Sequence, residues 1–230
     1  MSTYKKIGII AALEVETDLL KAAMQDIEIR AMGGSEYCSG RIGEQEVVVV
    51  QCGMGKVSAA ISAQIMIDMY HPDCIINTGC AGAVAEGLSI GDMVIGTETA
   101  EWDLDLIAIG YPRGYISALG RVRMTGDAEL GKMLVKCMPE DVCVKEGLVV
   151  SSDQFVSKPE QRDIILSAFP DALCAEMEGA AVGHVCAQNA VPFCIVRCMS
   201  DTADGDSGVN YAEFVKVASE KSAAILLAFL

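Results

Sequence analysis

The chain has 230 residues, 52% of them hydrophobic, and its 32 acidic against 17 basic side chains leave a net charge of −15. That length and apolar share suffice for a sizeable core, and with no linker-like stretch a single domain over residues 1–230 is expected. The acid excess argues against a nucleic-acid partner, whose phosphates call for clustered Lys and Arg.

Residues 1–6 lead into an apolar run, 7–13, that is too short for a membrane span and is followed by no small-residue cleavage pattern. The expectation is a soluble, cytoplasmic protein without a membrane partner. Residues 6–13 predict a strand buried on both faces, and 14–24 set Val15, Leu19, Leu20 and Ala23 at helical spacing. Short strands are expected at 27–32, 36–42 and 46–52, with Gly33-Gly34 as punctuation. A helix over 57–70 precedes a strand at 74–78, and a strand at 93–99 precedes an irregular segment, 101–120. A helix over 127–138, a strand at 143–151, helices near 158–168 and 178–188, a strand at 191–199 and a last helix over 211–229 complete the chain. This alternation predicts an α/β fold: a three-layer αβα architecture around a central mixed, mostly parallel twisted sheet. There is no internal repeat or low-complexity segment.

Cys74, Cys194 and Cys198 lie inside apolar runs, so the ten cysteines read as buried free thiols rather than a disulfide framework. No C-x-x-C pair occurs, and with His71 and His184 as the only histidines, ligands at metal-binding spacing are missing. Neither a metal nor a cofactor is expected.

In α/β proteins chemistry gathers at strand ends. At the first of these, Glu14 and Glu16 open a helix, where the macrodipole favours carboxylates even without a function. Gly53-Met54-Gly55-Lys56 lacks Walker-loop spacing and is weak as a dinucleotide fingerprint. Its glycines either let the backbone approach a small ligand or make an ordinary tight turn. The small residues from Asn77 to Ala83 would expose backbone N–H groups to a sugar, phosphate or carboxylate. Phe155, after Ser151-Ser152-Asp153-Gln154, is either a stacking face or core.

The most informative pattern is Glu176-Met177-Glu178 followed by Arg197-Cys198-Met199-Ser200-Asp201, separated by an Ala-rich helical stretch and an apolar strand. Carboxylates beside apolar strands are costly unless hydrogen-bonded or functional. The plain alternatives are helix-start carboxylates for Glu176 and Glu178, a turn residue within 200–208 for Asp201, and a counter-ion for Arg197.

In order, G-I-I-A-A-L-E-V-E, C-G-M-G-K-V, N-T-G-C-A-G-A, S-S-D-Q-F-V, A-E-M-E-G-A-A and V-R-C-M-S-D resemble the nucleoside phosphorylase superfamily and, within it, the 5′-methylthioadenosine/S-adenosylhomocysteine nucleosidases. The resemblance runs from Lys6 to the C-terminal helix, and E-M-E with R-x-x-S-D is its most specific part. It implies hydrolysis of the N-ribosidic bond of both nucleosides, and of 5′-deoxyadenosine, with release of adenine. It assigns Asp201 the protonation of purine N7, so that adenine need not leave as an anion. Desolvation at an apolar strand end raises a carboxyl pKa in the sense this requires.

The resemblance further gives Glu16 the positioning of the attacking water, with Arg197 assisting, and Glu178 the ribose hydroxyls. Met177 would lie along the ribose, Phe155 would stack on adenine, the Val156 backbone would read the base edge, and Ser200 and Cys80 would line the site. Met54 and Tyr211, with Leu106 and Ile109 from the partner of a homodimer, would form an apolar 5′ pocket suited to a methylthio group.

Two other functions fit the same motifs. A nucleoside phosphorylase needs an anion site, against which stand Glu14 and Glu16 and the presence of Asn77 where similar phosphorylases carry arginine. A catalytically silent nucleoside-binding protein would be expected to have lost one of Glu16, Glu178 and Asp201. The chain departs from the nucleosidase pattern at Cys80, which replaces a serine thought to bond the catalytic aspartate and is the weaker donor. Trp102 and Arg113 are unusual in the segment 102–117, which in the family closes a neighbouring subunit's site.

Overall fold

The computed structural model describes residues 4–201 and 207–230, the side chains of 207–210, 212 and 213 excepted. The chain begins β1 (Lys6–Ala11), α1 (Glu14–Ala23), β2 (Gln25–Met32), β3 (Ser35–Ile42), β4 (Gln45–Gln51), α2 (Lys56–Tyr70) and β5 (Cys74–Ala83). It continues β6 (Met93–Glu101), β7 (Arg123–Thr125), α3 (Ala128–Val135), β8 (Val144–Ser151), α4 (Pro159–Ala168), β9 (Ala172–Glu176), α5 (Gly179–Asn189), β10 (Phe193–Asp201) and α6 (Ser207–Phe229).

Successive side chains on a strand point to opposite faces, and here the alternation separates two cores. Ile7, Ile9, Val47, Val49, Cys74, Ile76, Cys194 and Val196 pack against Leu20 of α1, Leu130 of α3 and Leu226 of α6. On the other face Ile10, Val48, Val50, Ile75, Phe193 and Ile195 pack against Ala59 and Met66 of α2 and Val182 and Cys186 of α5. The expected three-layer αβα arrangement is therefore present.

Strand order in the ten-stranded sheet is β10-β6-β8-β9-β5-β1-β4-β3-β2, with β7 beside β6 and an additional β10–β5 pairing. The run β4, β1, β5, β10 is parallel, as are β6, β8 and β9, while β10–β6 and β5–β9 are antiparallel. The extra pairing closes β5, β10, β6, β8 and β9 into a ring and brings the ends of β5, β9 and β10 together. Strand patterns read along the chain do not carry such long-range closure.

Several elements differ from expectation for identifiable reasons. Residues 172–176 read Ala-Leu-Cys-Ala-Glu, lacking the β-branched and aromatic residues that mark strands, yet pairing with both β8 and β5 makes them β9. The small residues 79–83, read as a loop, instead prolong β5, in register with β10 from Gly79 opposite Arg197 to Ala81 opposite Met199. β7 is a short strand paired only with β6. Pro192 delays the start of β10, which in turn runs on to Asp201 through an irregularity between Met199 and Asp201. The turn expected over 200–208 lies mostly outside the described residues.

Candidate active site

Glu16 sits in the first turn of α1 but is not a solvated helix-start carboxylate: it is 3% exposed. Leu13, the N-cap residue, has no side-chain oxygen, so Glu16 folds back and its Oε2 accepts the N–H groups of Ala12 (3.0 Å) and Leu13 (2.9 Å). Its Oε1 accepts the Cys80 N–H at 3.1 Å and faces the Cys80 thiol at 3.5 Å. Glu16 thus stands in the first turn of α1, as a helix-start carboxylate would, and also borders the site's cavity. Cys80 meets Glu16, while the hydroxyl that bonds Asp201 belongs to Ser200, Oγ to Oδ2 at 3.0 Å.

Asp201 ends β10 just past the irregularity that shifts its register against β5. Bulges of this kind re-aim side chains beside active sites, and Asp201 is turned into the cavity while staying 2% exposed.

Glu176 and Glu178 divide their work. Glu176, at the end of β9, accepts the Ser151 hydroxyl, the N–H groups of Glu178 (2.9 Å) and Gly179 (2.7 Å), and Arg197 Nη2. It caps α5 and holds the arginine. Glu178 receives the Gly55 N–H on Oε1 at 2.8 Å, and its Oε2 lies 3.8 Å from Arg197 Nη2. Burial, reinforced by the neighbouring Glu176 and opposed by Arg197 and the Gly55 N–H, pushes the Glu178 carboxyl up to about 7.

Arg197 lies beneath the site, 1% exposed. Its Nη2 also donates to Asn77 Oδ1, and Asn77 in turn donates to the Ile10 carbonyl at 2.9 Å. Burial works against the guanidinium charge, but Glu176, Glu178 and Glu16 outweigh it and raise the arginine pKa further. Gly79 makes room for this contact: a Cβ there would stand 2.4 Å from Arg197 Nη1 and 2.6 Å from Glu16 Oε1.

These groups border a cavity of about 400 Å³, in the range of small-molecule sites. It brings together Glu16, Met54, Cys80, Phe155, Val156, Met177, Glu178, Ser200, Asp201 and Tyr211 of the expected residues. No Lys or Arg is among the described lining residues, Arg197 acting from behind. Phe155 is 42% exposed and so is not core; it meets Tyr211 edge-on, with centroids 5.4 Å apart. Burial pushes the Tyr211 phenol up to about 12.

Leu106 and Ile109 do not line this cavity. They lie around a short 3₁₀ turn, Ile107–Ile109, where Ile109 is 69% exposed. Trp102, expected in the partner-facing segment, is instead turned inward against Leu148, Val150 and Phe169. Arg113 folds back onto the Trp102 carbonyl and Asp105.

Residues 6–230 match the profile of the Phosphorylase superfamily. The 5′-methylthioadenosine/S-adenosylhomocysteine nucleosidase of Listeria monocytogenes is 38% identical over 229 residues, 97% of this chain and 98% of that protein. The chain belongs to this nucleosidase family of the phosphorylase superfamily. Solved nucleosidases agree: that of Neisseria meningitidis in complex with methylthio-immucillin-A superposes with a TM-score of 0.94 at 35% identity over 98% of both chains. The S-adenosylhomocysteine nucleosidase of Streptococcus pyogenes in complex with 5-methylthiotubericidin gives 0.94 at 36% identity, over 99% of this chain and 97% of that one.

Within this nucleosidase fold, the sequence assigned neither the anchors Ser151 and Asn77 nor the lining residues Ala12, Leu13, Ala81, Gly82, Gln154 and Ala175. Glu176, Ser151 and Asn77 fix Arg197 and Glu178 without needing a ligand. The helix-start reading of Glu176 holds, since it accepts the N–H groups of Glu178 and Gly179 where α5 begins. Gly55 reads from the sequence as a point of backbone approach to a small ligand or a tight turn, and its N–H meets the Glu178 carboxylate; nothing in the sequence marked Gly79 as the place where Arg197 and Glu16 come closest.

Proposed function

We propose that the chain hydrolyses the N-ribosidic bond of 5′-methylthioadenosine and S-adenosylhomocysteine, and of 5′-deoxyadenosine, releasing adenine. The observation that carries this is the convergence of Glu16, Glu178 and Asp201 on one cavity with Arg197 behind them. As the bond lengthens, positive charge grows on the ribose and negative charge on the base. Asp201 protonates purine N7 and so stabilises the leaving group, held in orientation by Ser200.

Glu16 orients the water on the opposite side of the ribose. Backbone N–H groups hold both of its oxygens, which fixes their direction before substrate arrives. Arg197 assists through its charge. Glu178 accepts the ribose hydroxyls while the Gly55 N–H keeps it in place. Met177 lies along the sugar, Phe155 stacks on adenine, and the Val156 backbone reads the base edge.

Met54 and Tyr211 form the near wall of the 5′ pocket. Leu106 and Ile109 close it from the partner of a homodimer, a reading supported by the exposure of Ile109 and by the absence of both from the lining of their own cavity. Water rather than phosphate is the nucleophile, supported by the acidic lining of the cavity and by the engagement of Asn77 with Ile10 and Arg197. Among the described residues no helix is long and apolar enough to cross a membrane. A cytoplasmic location is supported by the ten free cysteines.

The test is adenine release from 5′-methylthioadenosine by purified protein in phosphate-free buffer. Release at an undiminished rate is expected; release that requires added phosphate would make the protein a phosphorylase.

A further inference from the structure

Beside the cavity lies a partly buried ion cluster that takes no part in the chemistry above. The ammonium of Lys56, the first residue of α2, is 2.9 Å from Glu101 Oε2 and 2.6 Å from Asp103 Oδ1, with side chains 16%, 11% and 15% exposed. Glu101 Oε1 is 3.0 Å from His184 Nδ1 on α5. The second oxygen of Asp103 accepts the Asp153 N–H at 2.9 Å, and Asp153 Oδ1 accepts the Lys56 N–H at 2.7 Å.

The last contact caps a helix. α2 has no acidic residue in its first turn, and its N-cap, Gly55, has no side chain to cap with, so Asp153 supplies the acceptor from a distant loop. Gly55 is suited to this: its φ is +97°, and a Cβ there would come within 3.0 Å of Asp153 Oδ1.

Three members of the cluster, Lys56, Asp103 and Asp153, are chain neighbours of different parts of the site. Lys56 follows Gly55, whose N–H holds Glu178. Asp103 shortly precedes Leu106 and Ile109, and Asp153 shortly precedes Phe155. Burial alone would disfavour the charges on Lys56 and Glu101, but their mutual bonds outweigh it. The Lys56 pKa is raised by Asp103 and Glu101, and that of Glu101 is lowered by His184 and Lys56. Removing the ammonium would leave two mostly buried carboxylates without their cation.

We propose that Lys56 is a positioning residue for selectivity at the 5′ end of the substrate. Its ammonium ties the segment carrying Leu106 and Ile109 to the turn that holds Glu178, setting the apolar cover of the 5′ group together with the ribose anchor. The proposal rests on the dimeric nucleosidase reading, under which Lys56 joins the ribose anchor of its own cavity to the cover of its neighbour's.

The experiment compares kcat and KM for 5′-methylthioadenosine and adenosine in the native dimer, Lys56→Met and the milder Asp103→Asn, with melting temperatures alongside. Adenosine shares the base and ribose but lacks the apolar 5′ group. The expected result is a fall of about tenfold or more in the preference for 5′-methylthioadenosine, carried mainly by its KM, since one small apolar group in a pocket is worth discrimination of that order. Equal losses for both nucleosides, or a lowered melting temperature with the preference intact, would overturn the proposal. A native protein that released no adenine, or sedimented as a monomer, would instead sink the underlying reading, and that is seen before any variant is made.

Discussion

Glu176 and Glu178 are two residues apart, both almost fully buried and both beside Arg197, yet they are built for opposite purposes. Glu176 is saturated by a hydroxyl, two backbone N–H groups and the guanidinium. Glu178 has one backbone N–H at 2.8 Å and the guanidinium at 3.8 Å, and the rest of its accepting capacity faces the cavity. A carboxylate whose lone pairs are all taken positions its neighbours; one left underbonded next to empty space is ready for a ligand's hydroxyls. Burial therefore does not separate the two members of this pair, and completeness of hydrogen bonding does.

The largest expected effect lies just beyond the pair: Asp201→Asn should lower kcat by about 10²–10⁴-fold, the range of one general acid, with little change in melting temperature. A near-normal rate in single-turnover kinetics would remove Asp201 from its role.

Within the pair, Glu176→Gln should destabilise the fold by about 3–5 kcal/mol, because it strips the closest counter-ion from a buried arginine. Glu178→Gln should leave chemical denaturation nearly unchanged and raise KM instead. If denaturation midpoints moved equally for the two variants, the distinction drawn here would be wrong.

Gly79→Ala should cost about 1–3 kcal/mol and reduce activity, since its methyl would collide with both Arg197 Nη1 and Glu16 Oε1. Calorimetry and kinetics on that variant check both halves.

The smallest effect is a dependence on pH. With its pKa pushed up to about 7, Glu178 takes up a proton as the pH falls through neutrality and loses accepting capacity for the ribose hydroxyls. On the acid side kcat/KM should decline by about tenfold per pH unit below that midpoint. Glu178→Gln should flatten this limb; an unchanged limb would assign it to another group.

What the sequence made legible follows the range of the interactions involved. Glu16, Glu178 and Asp201 were readable because each sits at the end of a regular element with a local pattern of its own. Arg197 was readable as a counter-ion, but its specific anchors were not, because Asn77 and Glu176 reach it only through the pairing of β5, β9 and β10. β9 itself was invisible to propensity, its Ala-Leu-Cys-Ala-Glu being held extended by neighbours on both sides. Cys80 teaches the same lesson at atomic scale. Its position in the motif suggested a bond to Asp201, whereas β5 running on past Gly79 turns the thiol toward Glu16.

Under the proposed chemistry this site delivers water, not phosphate, to the ribose. This is tested most directly by offering both nucleophiles at once: the protein is incubated with 5′-methylthioadenosine in phosphate buffer and the sugar product identified by phosphorus and proton NMR. The account predicts free 5-methylthioribose with equimolar adenine; accumulation of the sugar 1-phosphate would contradict it.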